Sequence, residues 1–500
     1  MADTFSIPPQ EIADQSSKSK RDGSIPECAQ IPRSKSILLT KVNRHAHEGE
    51  HEPESWLKHK SHVIVLTFSG KPVYTRYGSE DMIAGFTGTL QALVSKFAVL
   101  GLSPSRVIEQ LKSISFGNLR IVFLDRSPLL FVSISKHANV TISSIERMLK
   151  SVHSQLIFVL TNGVNHTLEQ RPNFDVRSLL GGTRPLIGNL ISWMHNQMFL
   201  CTQGVAVETL PLPFATRSSL SRIVQTDIPA CCLYSVLLCG HRVVCTGSNH
   251  WESGASNIVS ASDLVLLINV VCSSSNSLLK SGQGECWTPV CLPSVSGDAF
   301  VYAYIQYMAA DVSLVSICVD PDNENFYCLS DHGRQTKETL EYSAEIATIF
   351  EWSNKCPLSL SRITTEGGEQ QIDQLLLNVK HCAIVLNQSR QIFSSACEYS
   401  LEEKKIFQTY TQCMSLLESD DPTISEDSQQ VSMTTNEDFV FIWITSEFQL
   451  FLTAPRGIDI SVITRVYQWL RDNEQTLFIS NLSSTNEPGT RLSANPSSLW

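Results

Sequence analysis

The sequence predicts an α+β protein made of three successive modules, each an antiparallel sheet covered by helices. One order of elements occurs three times along the chain: an apolar hairpin, an amphipathic helix, further apolar strands and a closing helix. The chain has 500 residues, enough for about three domains of roughly 150 residues each. Because 42% of the residues are hydrophobic, each domain can bury its own core. An antiparallel sheet with helices packed on it is the α+β layer arrangement.

Each module begins with two apolar runs around a short polar turn. The three hairpins are predicted at 62–74, 232–244 and 382–393. Gly70 and Gly240 supply two of the turns, and the polar stretch 387–390 supplies the third. Apolar strands joined by so short a polar segment are typical of β-hairpins.

An amphipathic helix follows each hairpin. In the first module Ser79 suits the N-cap, and Glu80 and Asp81 suit the positive end of the helix dipole. Apolar residues then recur at steps of three and four, which places them on one face; they are Ile83, Phe86, Leu90, Leu93 and Phe97. We expect Ile83, Phe86 and Leu90 in the core. The matching helices are predicted at 258–279 and 401–417.

Two glycines, Gly85 and Gly88, lie on the first of these helices. Glycine is costly inside a helix, by roughly 0.5–1 kcal/mol relative to alanine. Close approach by another helix would explain both glycines, and simple tolerance is the alternative.

More strands and a closing helix complete each module. The strand pairs are predicted at 119–124 with 129–134, at 300–305 with 313–319, and at 439–444 with 448–452. The closing helices are predicted at 143–160, 334–351 and 459–470. This order of elements is that of the longin and roadblock folds, so the sequence predicts three longin-type domains.

The repeat sets the domain boundaries, and composition defines what lies between the domains. Longin domains are predicted at 59–164, 228–355 and 372–482. Residues 1–58 lack hydrophobic periodicity, which predicts a disordered tail. The other segments are interpreted as a linker with a short helix (165–227), a second linker (356–371), a mobile acidic loop (418–438) and a flexible C-terminus (483–500).

Charge and hydropathy exclude some classes of protein. The formal net charge is −11, which disfavours sequence-independent binding to nucleic acid, because such binding needs clustered Lys and Arg. The longest apolar stretch, 264–272, is about half the roughly 20 residues of a spanning helix. The N-terminus lacks the features of a secretory signal, and no myristoyl or prenyl signal is present. We expect a cytoplasmic protein with peripheral membrane attachment.

The 15 cysteines lie mostly in apolar runs and form no Cys-x-x-Cys pair. In a reducing compartment such thiols are small buried hydrophobes, with a metal or redox role as the alternative. Cys286 and Cys291 bracket Trp287 and its neighbours, either as half of a metal site or as a strand entry. The histidines at 45, 47 and 51 form either a metal site or a solvated polar tract.

Motifs for covalent chemistry are absent from the sequence. No G-x-x-x-x-G-K-[ST], H-E-x-x-H or G-x-S-x-G motif occurs. Gly70-Lys71-Pro72 is the nearest to a phosphate-binding loop, but proline replaces the hydroxyl that Mg²⁺ would need. The sequence therefore predicts no catalytic residues, no metal and no cofactor.

The stretch 70–81 is dense in basic and aromatic side chains: Lys71, Tyr74, Arg76 and Tyr77. One interpretation is a solvated hairpin whose long side chains lie along the surface. The other is a partner-binding surface, because Tyr and Arg are enriched at interface hot spots.

The same stretch resembles a known family. The motifs His62-Val-Ile-Val-Leu, Gly70-Lys-Pro-Val-Tyr and Arg76-Tyr-Gly-Ser-Glu resemble those of the SAND family, the Mon-one type vacuolar fusion proteins. Four further motifs match in order: Asp125-Arg-Ser-Pro-Leu, Asp175-Val-Arg-Ser-Leu-Leu, Glu285-Cys-Trp-Thr-Pro-Val-Cys-Leu-Pro and Leu477-Phe-Ile. Together the motifs span residues 60–480.

The resemblance implies a role in membrane traffic. It implies a heterodimer with a Ccz-one type triple-longin subunit, acting as a guanine-nucleotide exchange factor for a late-endosomal Rab of the Rab-seven class. It implies recruitment to endosome, vacuole or lysosome membranes by an early-endosomal Rab and phosphatidylinositol 3-phosphate, and a part in endosome maturation, vacuole fusion and autophagy. The first longin domains would form the Rab platform. Its partner-facing residues are expected to be Lys71, Tyr74, Arg76, Tyr77, Ser79, Glu80, Gly85 and Gly88.

Two other functions fit the same sequence. One is a scaffold or tether subunit of a trafficking complex without exchange activity. The other is a longin-based cargo adaptor, which would need an exposed peptide groove.

Overall fold

Three β-sheets, each with helices packed on it, organise the part of the chain that the structure describes. The computed structural model describes residues 56, 58–100, 111–136, 140–196, 205–248, 260–280, 284–309, 311–343, 345–355, 378–395, 400–417 and 428–479. All of them belong to one compact unit, Leu38–Trp500. The α+β prediction is confirmed by these sheets. The predictions for 356–371, 483–500, the three tail histidines and nearly all of 1–58 lie outside the described residues.

Domain 1 is a five-stranded sheet with helices on both faces. Its strands are β1 (Ser61–Thr67), β2 (Pro72–Thr75), β3 (Ser113–Phe116), β4 (Leu119–Arg126) and β5 (Leu129–Ser135), in the order β2-β1-β5-β4-β3. Helix α1 (Glu80–Leu100) covers one face, where Ile64 and Leu66 point, and helix α2 (Ile142–Leu160) covers the other, where Val63 and Val65 point. Alternate residues of β1 therefore enter two different cores.

The segment between the first two domains is largely helical, so the prediction of a linker with one short helix is wrong in extent. It contains α3 (Gly163–Gln170), α4 (Arg177–Leu180), α5 (Arg184–Asn196), β6 (Val207–Glu208) and α6 (Phe214–Gln225). Apolar residues of α3 to α5 join the core beneath domain 1. Pro185 and Pro213 stand at the starts of α5 and α6, where proline is favoured.

Domain 2 repeats the plan of domain 1. Its strands are β7 (Cys232–Cys239), β8 (Arg242–Gly247), β9 (Glu285–Val290), β10 (Val301–Tyr307) and β11 (Val312–Cys318), in the order β8-β7-β11-β10-β9. Helix α7 (Ala261–Lys280) lies on the face towards domain 1 and shares its core. The closing helix predicted at 334–351 is two helices, α8 (Asn323–Tyr342) and α9 (Glu345–Lys355).

Domain 3 has a six-stranded sheet that includes a strand from outside the domain. Its own strands are β12 (His381–Leu386), β13 (Gln391–Ser394), β14 (Ser428–Thr434), β15 (Asp438–Thr445) and β16 (Phe448–Pro455), and β6 pairs with β13 in parallel. Helix α10 (Ser400–Leu417) covers one face, and α11 (Ser461–Asp472) covers the other, followed by α12 (Glu474–Leu477). The acidic loop predicted at 418–438 is wrong over β14, which pairs with β15 along its whole length.

The segment around β6 joins domains 2 and 3. The buried Arg217 donates to the carbonyls of Val244, Leu210 and Thr476, at 2.9, 2.9 and 2.7 Å. Glu208 pairs with Arg242 at 2.7 Å. Burial acts to raise the pKa of Glu208, but Arg242 and His241 hold it well below its usual range. A buried charge is tolerated when it is paired and hydrogen-bonded in this way.

Candidate functional site

The hairpin of domain 1 turns at Gly70 and contacts helix α1 there. Gly70 has φ +80°, and a Cβ on it would lie 3.3 Å from the Gly88 Cα. Thr87 closes the contact by donating to the Gly70 carbonyl at 2.9 Å. The turn therefore needs glycine for both its backbone conformation and its approach to the helix.

Lys71 and its neighbour in the turn hold the loop that precedes α4. The Lys71 Nζ donates to the Asn173 carbonyl at 3.0 Å, and the Ser69 Oγ donates to the Pro172 carbonyl at 3.2 Å. These contacts join segments about a hundred residues apart in sequence. The ammonium predicted to face a partner thus serves an intramolecular contact.

Tyr74 is a core residue and not a surface one, which corrects its expected exposure. Only 3% of Tyr74 is exposed, and it belongs to the core shared by domains 1 and 2. Burial raises the pKa of its hydroxyl. The Arg184 guanidinium of α5 lies 5.8 Å from the centre of its ring. Tyr74 can influence a partner only through the packing of the strand that carries it.

Arg76 fixes the end of the hairpin to α5. Its Nη1 lies 2.9 Å from the Nδ1 of His195, and its Nη2 donates to the Ser192 Oγ at 3.1 Å. The Ser61 Oγ lies 2.9 Å from the Nε2 of the same histidine. Arg76 is half-buried, and its guanidinium makes hydrogen bonds within the domain.

Tyr77 stacks on His59 with ring centres 3.6 Å apart and rings nearly parallel. Beside this pair, Trp56 packs on His62 with centres 4.1 Å apart. Burial lowers the pKa of His62 to about 4, so its imidazole is neutral near pH 7. Trp56 falls within the predicted tail, and the structure instead places it on the domain.

The first turn of α1 is tied to the helical segment by two ion pairs. Glu80 is buried and pairs with Arg184. Asp81 pairs with Arg177 at 3.0 Å, and Arg177 also pairs with Asp175 at 2.9 Å. The Arg177 guanidinium holds the pKa of Asp175 below its ordinary value. These contacts account for the Asp175-Val-Arg motif found in the sequence.

One face of α1 carries only small exposed side chains beyond its first turn. We call it the small-residue face; its members are Ala84, Gly85, Gly88, Ala92 and Ser95. A Cβ on Gly85 or Gly88 would meet no atom within 4 Å among the described residues. Ser79, at the start of the helix, is also exposed and accepts from the Met82 N–H at 3.4 Å. Of the eight predicted residues, Ser79, Gly85 and Gly88 thus lie on an open surface, and Lys71 is exposed but hydrogen-bonded to the Asn173 carbonyl.

The core face of α1 differs from the predicted one by one position. Ile83, Leu90 and Val94 are buried, but Phe86 is 39% exposed and Phe97 is 44% exposed. The prediction that Phe86 is core is wrong because the polar residues Thr87 and Gln91 occupy the inward positions. Both phenylalanines lie beside the buried face.

Strand β3 is an edge of the domain 1 sheet that sequence reasoning missed. It pairs with β4, and its other side faces no strand of the described residues. Phe116 at its end is 81% exposed, and Gly117 follows with φ +55°. The alternation in Ser113-Ile-Ser-Phe before a Gly-Asn turn is a weak hairpin signal that could have found it.

Cys286 and Cys291 belong to strand β9 and its exit. Cys286 is half-buried in the strand, and Cys291 is buried directly after it. The strand interpretation of this motif is confirmed. Trp287 is half-buried and stacks on Tyr302 with ring centres 5.5 Å apart. Among the described residues no group of His, Cys, Asp and Glu is arranged to hold a metal ion.

Comparison with known proteins assigns two of the three domains to one type. Residues 61–190 match the family described as the first longin domain of FUZ, MON1 and HPS1. Residues 230–335 match the second longin domain of the same proteins. The first match ends within α5, so it includes α3, α4 and the first half of α5, which pack beneath domain 1. Two of the three domains are therefore longin domains of the kind described for FUZ, MON1 and HPS1.

Relatives with curated names extend the similarity to most of the chain. The vacuolar fusion protein MON1 homolog A of Gallus gallus is 28% identical over 471 residues, which cover 92% of this chain and 79% of that protein. Protein SAND of Takifugu rubripes is 28% identical, covering 93% and 87%. The MON1 homolog of Oryza sativa subsp. japonica is 28% identical, covering 87% and 77%. These similarities confirm the resemblance to the MON1 (SAND) family over most of the chain.

Within the described ranges, no helix combines the length and the apolar character that crossing a bilayer requires.

Proposed function

We propose that this chain is one subunit of a heterodimeric guanine-nucleotide exchange factor for a late-endosomal or vacuolar GTPase of the Rab-seven class. The observation that carries the proposal is its similarity, over 92% of its length, to a protein named a vacuolar fusion protein. The second subunit would be a triple-longin protein of the Ccz-one type. The complex would promote early-to-late endosome maturation and fusion with vacuoles or lysosomes.

The small-residue face of α1 and the β3 edge support docking of a partner on domain 1. Glycine at positions 85 and 88 lets another backbone approach α1 closely. Strand β3 offers backbone groups that face no other described strand, and such an edge is a template for pairing with another chain. Phe116 adds an exposed aromatic side chain at the same edge. We infer that a partner longin domain and the GTPase bind on this side of domain 1.

The charged residues of the hairpin and of the first turn of α1 would affect partner binding indirectly, by fixing the position of the hairpin. Lys71, Arg76 and Glu80 hold the segment of α4 and α5, as their hydrogen bonds and ion pair show. Their substitution would shift the hairpin against α1 and weaken binding indirectly. Ser79, Gly85 and Gly88 remain the predicted residues that a partner could touch.

The exchange reaction would need no covalent chemistry from the chain. A factor that binds the nucleotide-free GTPase more tightly than the GDP-bound form lowers the barrier to GDP release. Recruitment to membranes would come from an early-endosomal Rab and phosphatidylinositol 3-phosphate. The protein would then divide between the cytoplasm and the surface of endosomes, vacuoles or lysosomes.

Release of labelled GDP tests the proposal directly. The chain is purified with its longin partner, and GDP release is measured from a panel of Rab GTPases. We expect acceleration for a late-endosomal Rab, and Gly85→Leu should weaken partner binding at least tenfold, or about 1.4 kcal/mol. Val295→Asp, at a position 70% exposed on domain 2, is the control and should bind normally.

Two results would contradict parts of this proposal. If no Rab in the panel releases GDP faster, the exchange function is wrong. Stable binding of the partner without preference for nucleotide-free Rab would then favour a scaffold or tether subunit. If Gly85→Leu and Val295→Asp bind the partner equally well, the small-residue face is not the docking site.

A further inference from the structure

One segment of the chain covers the edges of two different sheets. Strand β8 is the last strand at one end of the domain 2 sheet, and β13 is the last of domain 3's own strands at the corresponding end. Each is the second strand of the hairpin that opens its domain. The segment 206–212, which includes β6 and which we call the strap, lies along both. An uncovered edge strand presents N–H and C=O groups that pair with nothing in its sheet.

The backbone of the strap passes from one sheet to the other within a few residues. The Val207 N–H donates to the Arg390 carbonyl of the domain 3 hairpin at 2.7 Å. Thr209 then forms an isolated parallel bridge with Val243 of β8, and the Leu210 N–H donates to the Val243 carbonyl at 2.9 Å. Lifting the strap from either edge therefore disturbs hydrogen bonds to the other edge two or three residues away.

Glu208 binds both domains at once. Its backbone pairs with Ile392 of β13 in domain 3. Its carboxylate, in a side chain that is 14% exposed, points to domain 2: Oε1 accepts from the Arg242 Nε at 2.7 Å, and Oε2 lies 2.8 Å from the Nε2 of His241. Removing the carboxylate would leave the Arg242 guanidinium poorly solvated and without its partner, which is costly.

The rest of the strap is anchored in the same two domains. Leu210 and Leu212 are fully buried in a core of domain 2. The Thr209 Oγ1 donates to the Leu477 carbonyl of domain 3 at 2.6 Å, and the Leu212 N–H donates to the Thr476 carbonyl at 3.0 Å. The strap thus has apolar anchors in domain 2 and hydrogen bonds to the end of domain 3.

We propose that the strap couples domains 2 and 3, so that strands β8 and β13 open in one reaction and not independently. Glu208 sets the strength of this coupling, because it is the residue whose backbone belongs to one sheet and whose carboxylate holds the other. Local opening reactions involve contiguous groups of hydrogen bonds that are lost together. Loosening the strap at one domain therefore uncovers the sheet edge of the other domain as well.

Native-state hydrogen exchange of the full chain tests the coupling. Exchange is followed by mass spectrometry at a series of urea concentrations below the unfolding transition. We expect peptides from β8 and β13 to share one opening free energy and one urea dependence, and to open before the central strand β5 of domain 1. Different urea dependences for β8 and β13, or exchange of both only together with β5, would overturn the proposal.

A substitution at Glu208 tests its assigned part. Glu208→Gln keeps the size of the side chain and removes its charge, so exchange in β8 and β13 should accelerate by the same factor, about tenfold or more, with β5 unchanged. The matched control is Glu146→Gln, which removes a carboxylate from the ion pair with Lys150 in domain 1 and should leave β8 and β13 unchanged. Acceleration of only one of the two strands, or of neither, contradicts the coupling. The wild-type measurement does not depend on either variant.

Discussion

The first helices of domains 1 and 2 occupy the same place in the repeat but have opposite surroundings. The first half of helix α7 of domain 2 is apolar on nearly every side, and five consecutive residues, Leu264 to Ile268, are buried. Its core includes Phe131 from the sheet of domain 1 and Ile305 from the sheet of domain 2. Helix α1 of domain 1 buries only the side that carries Ile83 and Leu90. A helix that is apolar all round belongs inside a protein, and one with an open face belongs at its surface.

The difference shows how a repeated module acquires separate roles. The helix at the junction of two domains becomes part of their shared core, so it is unavailable to a partner. The equivalent helix of domain 3, α10, has charged residues such as Glu402, Lys404 and Lys405 along its first turns, as a solvated helix does. The small-residue face of α1, by contrast, is exposed among the described residues and carries no charged side chain beyond the first turn. Of these three helices, α1 is the one suited to partner binding.

The largest expected loss of unfolding free energy comes from shortening a side chain in the core that domains 1 and 2 share. Leu267→Ala in α7 removes a side chain that is 1% exposed in the shared core, and such a change costs about 2–5 kcal/mol of unfolding free energy. Phe97→Ala in α1 removes a larger side chain that is 44% exposed, and should cost less than about 1 kcal/mol. Urea denaturation followed by circular dichroism measures both. Equal losses would contradict the contrast between a buried and an open helix.

The second largest expected effect is on the pH dependence of stability, and it compares the carboxylates in the first turns of α7 and α1. Asp263 is 1% exposed, with both oxygens 3.3 Å from the Ser294 amide nitrogen. Burial raises its pKa to about 6, against the pull of the Ser294 N–H. Between pH 4 and 6 the folded state binds a proton that the unfolded state lacks, so stability increases as the pH falls through this range and is lost as it rises.

Asp263→Asn should remove that dependence. Relative to the variant, the wild type is expected to lose on the order of 2 kcal/mol between pH 4 and pH 7. Denaturation at a series of pH values gives the two slopes. The matched control is Asp81→Asn, which removes a carboxylate that is 90% exposed in the first turn of α1. If the wild type and Asp263→Asn show the same slope, the carboxylate of Asp263 is not the source of the dependence.

The sequence predicted the elements that depend on local pattern. The turns at Gly70 and Gly240 have the positive φ values, +80° and +58°, that favour glycine. The helices predicted at 258–279 and 401–417 are observed as Ala261–Lys280 and Ser400–Leu417. Periodicity and turn chemistry act over a few residues, so they can be recognised without knowing what packs on the element.

The parts of the fold and of the candidate site that the sequence did not predict depend on contacts between residues that are distant in sequence. Lys71 and Glu80 were predicted to face a partner, but they contact Asn173 and Arg184, about a hundred residues away. Charge and exposure could not identify those contacts. Strand β14 was missed because its edge position leaves one face polar, and only Val431 and Met433 pack inward. In the segment predicted as a linker, Pro185 and Pro213 lie at the starts of helices, a position that composition alone does not distinguish from a turn.

The smallest expected change in stability comes from adding a single methyl group to the small-residue face of α1. Gly85→Ala adds a Cβ that meets no described atom within 4 Å, so the gain in helix propensity should stabilise the isolated chain by roughly 0.5–1 kcal/mol. Gly70→Ala is the matched control, because φ +80° and the Gly88 Cα at 3.3 Å oppose a side chain there. It should destabilise the chain by about 1–2 kcal/mol.

Measured by urea denaturation, the two substitutions should therefore have opposite signs. Gly85→Ala should also bind the proposed longin partner less tightly even though the free chain is more stable, because a Cβ on the small-residue face would hold that partner's backbone away. Titration of the partner followed by calorimetry measures this second quantity. A Gly85→Ala chain that is more stable and binds unchanged would show that the glycine is tolerated and not required. A less stable free chain would show that something already covers the face.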